Sequence, residues 1–191
     1  MGLLLAAVLV LSTSVAEAQS PGAGSGGYFA APVIKYTRLR EQDAVMFGGR
    51  GGWYVTPSLV LGGGLYGTMT EVDAPSGVPY APAPLDLEYE AFGFEVEYHF
   101  SHAAPTHFTL AAFLGGAAAR YTREGTNEQH GETDFQFLLE PAVGVEQAIS
   151  RRARVNLAAS YRLSGEVEQV GLSESDVGGP ALTLSLKLGR F

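Results

Sequence analysis

The sequence contains no cysteine and, after its first residues, no apolar run long enough to cross a membrane as a helix. The absence of cysteine excludes a disulfide-stapled scaffold and a lipid-modified N-terminal cysteine. Basic residues are few as well: the sequence has 12 Lys and Arg against 20 Asp and Glu, which gives a formal net charge of -8. Such an acidic chain is a poor match for a nucleic-acid partner. A transmembrane helix needs roughly 18 continuous apolar residues, so any membrane span must be built from strands.

The first 18 residues are typical of a cleaved signal peptide. Gly2 to Val10 form an apolar run too short for a transmembrane helix, and Ala16 and Ala18 are small residues at the positions that a signal peptidase reads. We therefore predict a signal peptide over 1–18, a flexible leader over 19–26 (QSPGAGSG), and a single domain over 27–191.

The rest of the chain alternates apolar and polar residues in eight segments. From Leu182 to Leu188, leucines alternate with Thr183, Ser185 and Lys187, which is the period-two pattern of a two-faced strand. Twenty-five glycines and the lack of a helical period favour an all-β fold. The predicted strands cover 27–37, 43–55, 58–70, 86–100, 106–121, 133–148, 153–164 and 180–191.

The predicted connections alternate between short and long. The segments 56–57, 101–105 and 149–152 are short, 71–85, 122–132 and 165–179 are long, and only the first connection, around 38–42, is short where a long one is due. Long and short loops at opposite ends are typical of an up-and-down outer-membrane barrel with tight periplasmic turns. We therefore predict that both barrel termini are periplasmic, with Ala103 at the same end and Val78, Asn127 and Glu174 on the exterior.

Charged residues on these strands have the parity opposite to that of the apolar side chains. The interior of an eight-stranded barrel is just wide enough to be filled by side chains, and charges confined there must pair to offset their desolvation. We predict a lumen ion-pair network centred on Arg50, with Glu95 and Glu140 as its partners. Room for it is expected from the inner glycines Gly48, Gly52, Gly62 and Gly64. The network comprises Arg50, Glu95, Glu97, Glu140, Glu146, Arg154, Arg162 and Lys187, and Lys35 shares their parity.

Aromatic residues on the apolar parity cluster near the strand ends. Membrane barrels carry aromatic girdles at both interfaces, whereas a soluble two-faced sheet has no such requirement. We predict interface aromatics at the periplasmic ends (Tyr28, Trp53, Tyr98, Phe100 and Phe108) and toward the outer ends (Tyr36, Phe135, Phe137 and Tyr161).

With its signal peptide, eight alternating segments and final Phe191, the chain resembles the small eight-stranded bacterial outer-membrane barrel proteins, the group of the OmpA transmembrane domain, OmpX and OmpW. The resemblance implies an outer-membrane location, a monomer, and three partners: membrane lipids, lipopolysaccharide and the outer-membrane assembly machinery, for which Phe191 is the signal. In that family the terminal aromatic shares its face with the preceding apolar residues. Phe191 is out of phase with Leu182 to Leu188, so a bulge is expected near Gly189, and Pro32 and Pro141 suggest further bulges or misplaced strand centres.

A group of histidines is the one feature that invites a catalytic interpretation. His99 and Ser101 match the His-x-Ser spacing of an outer-membrane lipid A deacylase family, but no carboxylate follows within the next twenty residues. One face supplies only His99 and His107 for a metal ion. We predict that these histidines are solvated near a turn, and that the chain has no catalytic residue, metal site or cofactor.

We therefore interpret the chain as a non-enzymatic, all-β, eight-stranded antiparallel transmembrane barrel with a structural or surface-exposed role and a polar, side-chain-filled lumen. One alternative is a narrow pore for small solutes. The other is a secreted lipocalin-like barrel, which would turn its apolar parity inward around an apolar ligand and leave the charges in water.

Overall fold

The structure is a computed structural model that describes residues 26–75, 84–123, 128–167 and 171–191. The predicted signal peptide, all of the leader except its last residue, Val78 and Asn127 lie outside the described residues. In the described part of the chain, no helix is long and apolar enough to cross a membrane.

Eight antiparallel strands close into a barrel in sequence order, which confirms the predicted fold class. A short helix, α1 (Glu174–Val177), lies between the last two strands. The strands are β1 (Tyr28–Leu39), β2 (Gln42–Tyr54), β3 (Leu59–Thr68), β4 (Leu85–His99), β5 (Thr106–Arg123), β6 (Gln129–Ala148), β7 (Ala153–Ser164) and β8 (Gly179–Arg190).

The two ends of the barrel differ in their connections. The short-turn end has the turns 55–58, 100–105 and 149–152, and it also holds the start of β1 and the end of β8. The long-loop end has the connections 40–41, 69–84, 124–128 and 165–178. The first of these is a two-residue turn in which Arg40 and Glu41 have φ of 48° and 62°. Positive φ at both positions is the geometry that matches the twist of a tight hairpin.

Neither proline produces the bulge that the sequence suggested. Pro32 pairs with Gly49 on β2, and Pro141 pairs with Ala112 on β5. Each proline lies at a gap in the pairing with its other neighbouring strand, and the residue offset is the same before and after the gap. Because proline lacks the N–H group, the ladder loses a hydrogen bond on one side without a change of register.

Large apolar side chains point outward around the whole barrel. Phe94, Phe135 and Trp53 are 78%, 71% and 65% exposed, and every strand contributes further exposed apolar residues. Contiguous apolar patches larger than a few hundred Å² are rare on soluble monomers. The apolar parity therefore faces away from the lumen, which is the opposite of the lipocalin-like alternative.

Most inward-facing side chains form two layers, and a small apolar cluster of Phe29, Ala31, Tyr54 and Val60 lies at the short-turn end. A charged layer fills the half near the short-turn end, and an apolar layer fills the half near the long-loop end. The charged layer consists of Lys35, Arg50, Glu95, Glu97, His99, His107, Glu140, Glu146, Arg154, Arg162 and Lys187. The apolar layer consists of Val33, Leu39, Ala44, Met46, Tyr66, Val72, Leu85, Leu87, Tyr89, Ala91, Phe113, Ala117, Ala119, Tyr121, Leu138 and Val177.

Candidate functional site in the barrel lumen

Arg50 holds two carboxylates from a strand that is not its neighbour. Its Nη1 and Nη2 donate to Glu95 and Glu97 of β4, across the intervening β3. Gly64 of β3 pairs with Arg50, and a Cβ added there would lie 3.2 Å from the Arg50 Cβ and 2.8 Å from the Tyr66 hydroxyl oxygen. The side chain of Arg50 can cross β3 because Gly64 has no side chain. Of the four inner glycines that were predicted to make room for Arg50, Gly64 is the one that does so, since an added Cβ at Gly48, Gly52 or Gly62 would meet atoms of the neighbouring strand.

Lys187 extends the same network toward β6 and β7. Its Nζ donates to Glu97 and Glu146, and Arg154 Nη1 donates to Glu146 Oε1 at 3.0 Å. Lys187 and Glu146 are fully buried, and Glu97 is 1% exposed. Charges of alternating sign thus run from β2 through β4 and β8 to β6 and β7, so that each buried charge meets a partner, as confined charges require.

Glu140 is not the partner of Arg50 that the sequence predicted. It accepts hydrogen bonds of 2.6 Å from Lys35 Nζ and from Ser160 Oγ, and Arg162 Nε lies 3.6 Å from its other oxygen. Barrel strands are tilted, so residues near the middle of different strands lie at different depths. Counting along each strand could not reveal this offset.

Arg162 joins the charged layer to the apolar layer. It donates to the carbonyl of Val177 in α1 at 2.9 Å and to Thr37 Oγ1 at 3.2 Å, and its guanidinium lies 5.1 Å from the ring centroid of Tyr89. Arg162 is 1% exposed. The buried Arg162 side chain therefore links α1 to Thr37 on β1 and to Tyr89 of the apolar layer.

Two of the histidines are buried, which contradicts the prediction of solvated turn residues. His99 is the last residue of β4 and His107 is the second residue of β5, and their inward parity places both under the 100–105 turn. His99 Nδ1 lies 2.9 Å from His107 Nε2, and Glu146 Oε1 lies 3.6 Å and 3.4 Å from these two nitrogens. Ser101 lies in the turn, exposed, with a φ of 51°.

Phe191 faces the lumen, so the bulge predicted near Gly189 is wrong. The β1 and β7 registers continue through β8 without a shift, and the aromatic ring therefore shares the parity of Lys187. It packs edge-on against Tyr54 at 6.1 Å between centroids, with the Arg154 guanidinium 4.3 Å from its own centroid. The ring caps the charged layer from the short-turn end.

Among the described residues, a cavity and an open vestibule lie inside the barrel. A cavity of about 40 Å³ lies among Arg50, Glu95, Glu140, Asn156 and Ser160. It is large enough for about three water molecules by the volume that one water needs. An open vestibule of about 310 Å³ lies at the mouth, lined by Gly26, Gly27, Tyr54, Pro57, His102, Arg154, Arg190 and Phe191.

All of the predicted interface aromatics lie on the outer surface. Tyr36 lies at the limit of the apolar band that is nearer the long-loop end. Its hydroxyl donates to the outward-facing carboxylate of Asp43 at 2.7 Å. The exposed rings at the short-turn end are Tyr28, Trp53, Tyr98, Phe100 and Phe108, and those toward the long-loop end are Tyr36, Phe135, Phe137 and Tyr161.

Sequence reasoning missed the apolar layer. The sequence did contain a signal for it. From Leu85 to Ala91 the apolar residues fall on the same face of β4 as the glutamates further along that strand. It also missed Glu146 as a neighbour of the histidines, because only the β5–β6 register places Glu146 opposite His107.

Comparison with solved structures finds the same fold in several outer-membrane proteins. Neisserial surface protein A (NspA) is 18% identical, with a TM-score of 0.53 over 87% of this chain and 97% of that one. The N-terminal β-barrel domain of Pseudomonas aeruginosa OprF is 13% identical, with a TM-score of 0.52 over 87% and 99%.

Ail, the attachment invasion locus protein of Yersinia pestis, solved with the heparin analogue sucrose octasulfate, is 8% identical, with a TM-score of 0.51 over 87% and 98%. A scan against protein-family models and a search of curated proteins found no match. At these identities the likeness establishes the fold: the chain has the architecture of the small eight-stranded outer-membrane barrels that its sequence resembles.

Proposed function

We propose that this chain is a non-enzymatic protein of the bacterial outer membrane, with a structural or surface-exposed role and a lumen closed by its own side chains. The observation that carries the proposal is the continuous outward band of apolar residues around a closed barrel. Lipid is the environment in which such a surface is stable, and a closed barrel leaves no unpaired strand edge within it.

The height of the band supports a bilayer. From the middle of β4 into the turn that follows it, the exposed apolar residues run from Phe92 to Phe100. A strand that rises about 3.4 Å per residue and tilts by about 40° covers about 20 Å along the axis over this stretch, close to the roughly 25 Å apolar band of outer-membrane barrels. The strands β5 and β6 continue well past this band at the long-loop end, which suits a surface-exposed hairpin.

Two layers in series support the proposal of a closed lumen. Lys187 and Glu146 fill the charged layer, and Phe113, Tyr89 and Leu138 fill the apolar layer, all nearly or fully buried. Because an ion would have to cross both, loss of one layer alone is not expected to open a conducting path. The unmodified chain should show no steady conductance in planar bilayers. A large and steady conductance would instead favour the narrow pore.

Lipids, lipopolysaccharide and the assembly machinery are the partners that this proposal implies. The outward aromatics are placed to meet the lipid headgroups at the two interfaces. Phe191, if it is the assembly signal, would be read before folding is complete, because its ring packs on Tyr54 in the folded barrel.

Cell fractionation and gel mobility test the location. The folded protein should be found in the outer-membrane fraction and should change mobility on boiling. Recovery in the soluble fraction without detergent would contradict the proposal.

Cysteine labelling tests the orientation of the barrel in the membrane. Because the sequence has no cysteine, only an introduced cysteine can react. In intact cells an impermeant maleimide should label Glu174→Cys at the long-loop end and leave Ala103→Cys at the short-turn end unlabelled. The two sites lie at opposite ends of the barrel. Labelling of Ala103→Cys alone would invert the topology.

A further inference from the structure

We propose that His99, His107 and Glu146 form a binding site for a divalent transition-metal ion in the short-turn half of the lumen. The three side chains come from the end of β4, the start of β5 and the end of β6, and all are 4% exposed or less. Each offers one donor atom, and the three atoms lie within 4.8 Å of one another. Such a site goes beyond the proposed structural role, which needs no ion.

The spacing of the donor atoms fits a small tetrahedral ion. The separations are 2.9 Å between His99 Nδ1 and His107 Nε2, and 3.4 Å and 3.6 Å from these atoms to Glu146 Oε1. Ligand atoms about 2.0–2.1 Å from Zn²⁺ at tetrahedral angles are about 3.3 Å apart. The observed triangle therefore needs only a few tenths of an ångström of adjustment to accept the ion.

The neighbours of the two rings decide which nitrogens carry protons. His107 Nδ1 lies 3.1 Å from the carbonyl oxygen of Ala104. Because a carbonyl oxygen can only accept, Nδ1 carries a proton and donates the hydrogen bond. His99 Nε2 lies 2.6 Å from Glu97 Oε1. Nε2 makes no full hydrogen bond among the described residues, but an unprotonated nitrogen and a carboxylate oxygen would repel at this distance, so we assign a proton to Nε2 as well.

As a result, the lone pairs of His99 Nδ1 and His107 Nε2 point at each other, with a carboxylate oxygen beside them. The two facing nitrogens have no donor between them, and Glu146 Oε1 beside them accepts a hydrogen bond from Arg154, so the space between the rings favours a cation. In histidine metal sites, the ring nitrogen that does not bind the ion usually donates to a carbonyl or a carboxylate, which fixes the tautomer. The two cations that could fill the space are a metal ion and a proton shared by the two rings.

Arg154 is the group against which a metal ion must compete. It donates to Glu146 Oε1 at 3.0 Å, whereas Lys187 donates to the other oxygen, Oε2. A bound ion would therefore take Oε1 from Arg154 and leave the contact with Lys187 in place. Arg154 is partly exposed and also lines the vestibule, so its side chain has space to withdraw.

Tyr54 lies between the site and the vestibule. Its ring centroid is 5.4 Å from that of His99, and the same residue lines the vestibule. The Tyr54 hydroxyl is buried and has no hydrogen-bond partner among the described residues. A buried hydroxyl without a partner calls for an explanation, and an ion or its bound water would supply one.

The donor set selects the class of ion. Two imidazoles and one carboxylate, in a chain without cysteine, suit Zn²⁺, Ni²⁺ or Cu²⁺ rather than a thiolate-preferring ion or the all-oxygen sites of Ca²⁺ and Mg²⁺. Zn²⁺ is the appropriate probe because it has no redox chemistry and accepts tetrahedral geometry.

The experiment is a calorimetric Zn²⁺ titration of the tag-free barrel folded in detergent. We expect one ion per chain, and His107→Ala should weaken the affinity by more than about 100-fold, since even loss of an outer-layer partner costs about 10–100-fold. His130→Ala is the matched control, because His130 lies at the far end of β6, and it should bind as the unmodified chain does. Mobility before and after boiling reports whether each variant is folded.

A second variant keeps the test decisive if His107→Ala does not fold. Arg154→Gln removes the competitor for Glu146 Oε1 and should raise the Zn²⁺ affinity. Zn²⁺ should also raise the unfolding temperature of the unmodified chain in a concentration-dependent way, since it binds only the folded state. Unchanged affinity in either variant, or no binding by the unmodified chain, would overturn the metal site and leave a shared proton between the two histidines.

Discussion

The two halves of the barrel have opposite polarity, and β4 contains both. In its long-loop half, Leu85, Leu87 and Tyr89 face the lumen while the residues between them are acidic and face out. In its short-turn half the arrangement is reversed, since Phe92 and Phe94 face out and the glutamates face in. The outward-facing acids are Asp86, Glu88 and Glu90, and the inward-facing ones are Glu95 and Glu97.

The difference shows that alternation alone does not identify the surroundings of a strand. Both halves repeat with period two, but only the parity of the apolar residues tells whether water or lipid lies outside. In the proposed membrane location, the outer wall beyond the band toward the long-loop end is in contact with water, and apolar burial stabilises the interior there, as in a soluble protein. Within the band, the apolar side chains would face lipid while the charges face the lumen. The change of parity between Ala91 and Phe92 marks the outer limit of the band.

The first prediction concerns the charged layer and has the largest expected effect. Arg50→Ala should lower the free energy of unfolding by about 3–5 kcal/mol, because it leaves the carboxylates of Glu95 and Glu97 buried without the guanidinium that they share. Urea titration in phospholipid vesicles, followed by gel mobility, measures this change.

A double variant separates the effect of losing an ion pair from the effect of losing side-chain packing. Arg50→Ala combined with Glu95→Ala removes the stranded charge together with its partner, so the combined loss should be smaller than the sum of the two single losses. Additive losses would mean that bulk water screens the charges, and the contrast between a buried charged layer and the solvated outer wall would fail.

The second prediction concerns the apolar layer. Leu138→Ala should cost about 2–5 kcal/mol, since it leaves a cavity among rigid neighbours at a position with no solvent exposure. The adjacent Leu139→Ala is the matched control, because Leu139 has outward parity and fluid lipid can fill the gap it leaves. A larger loss for Leu139→Ala would reverse the assignment of the two faces.

The sequence was sufficient for the fold and the outer surface because both are encoded locally. Strand boundaries, the alternation of connections and the outward aromatics depend on neighbours within one strand or one hairpin. The contact of Arg50 with Glu95 was also within reach, since Gly64 on β3 marks where a long side chain can cross.

What the sequence could not give was relative depth between strands. Glu140 meets Lys35 rather than Arg50, and Glu146 meets His107, because strand tilt and register set these pairs. The face of Phe191 was readable by parity, but the family habit of the terminal aromatic suggested a bulge that the register does not contain.

The third prediction concerns the lipid-facing surface. Leu184→Arg, near the middle of β8, should cost about 2–4 kcal/mol in vesicles, because it places a charge near the bilayer midplane. Thr133→Arg is the control, because Thr133 has outward parity on β6 beyond Phe135 and lies above the apolar band. It should cost about 0–1 kcal/mol, as charges near or outside the interface do. Equal losses at the two sites would place both in the same solvent.

The smallest effect should come from an ion pair of the same chemistry as that of Arg50, placed on the outer wall. Arg120 contacts Glu88 at 2.6 Å and Glu90 at 3.0 Å, and its side chain is 26% exposed. Because water solvates all three groups, Arg120→Ala should lower the free energy of unfolding by only about 0.2–1 kcal/mol, and part of this loss should disappear at high salt. Arg50→Ala should show little salt dependence, since buried pairs are screened much less. Urea titrations of both variants at low and high salt measure the contrast. If Arg120→Ala proved as costly as Arg50→Ala, the outer wall above the band would be shielded from water, and the long-loop half would not be the wet half of the barrel.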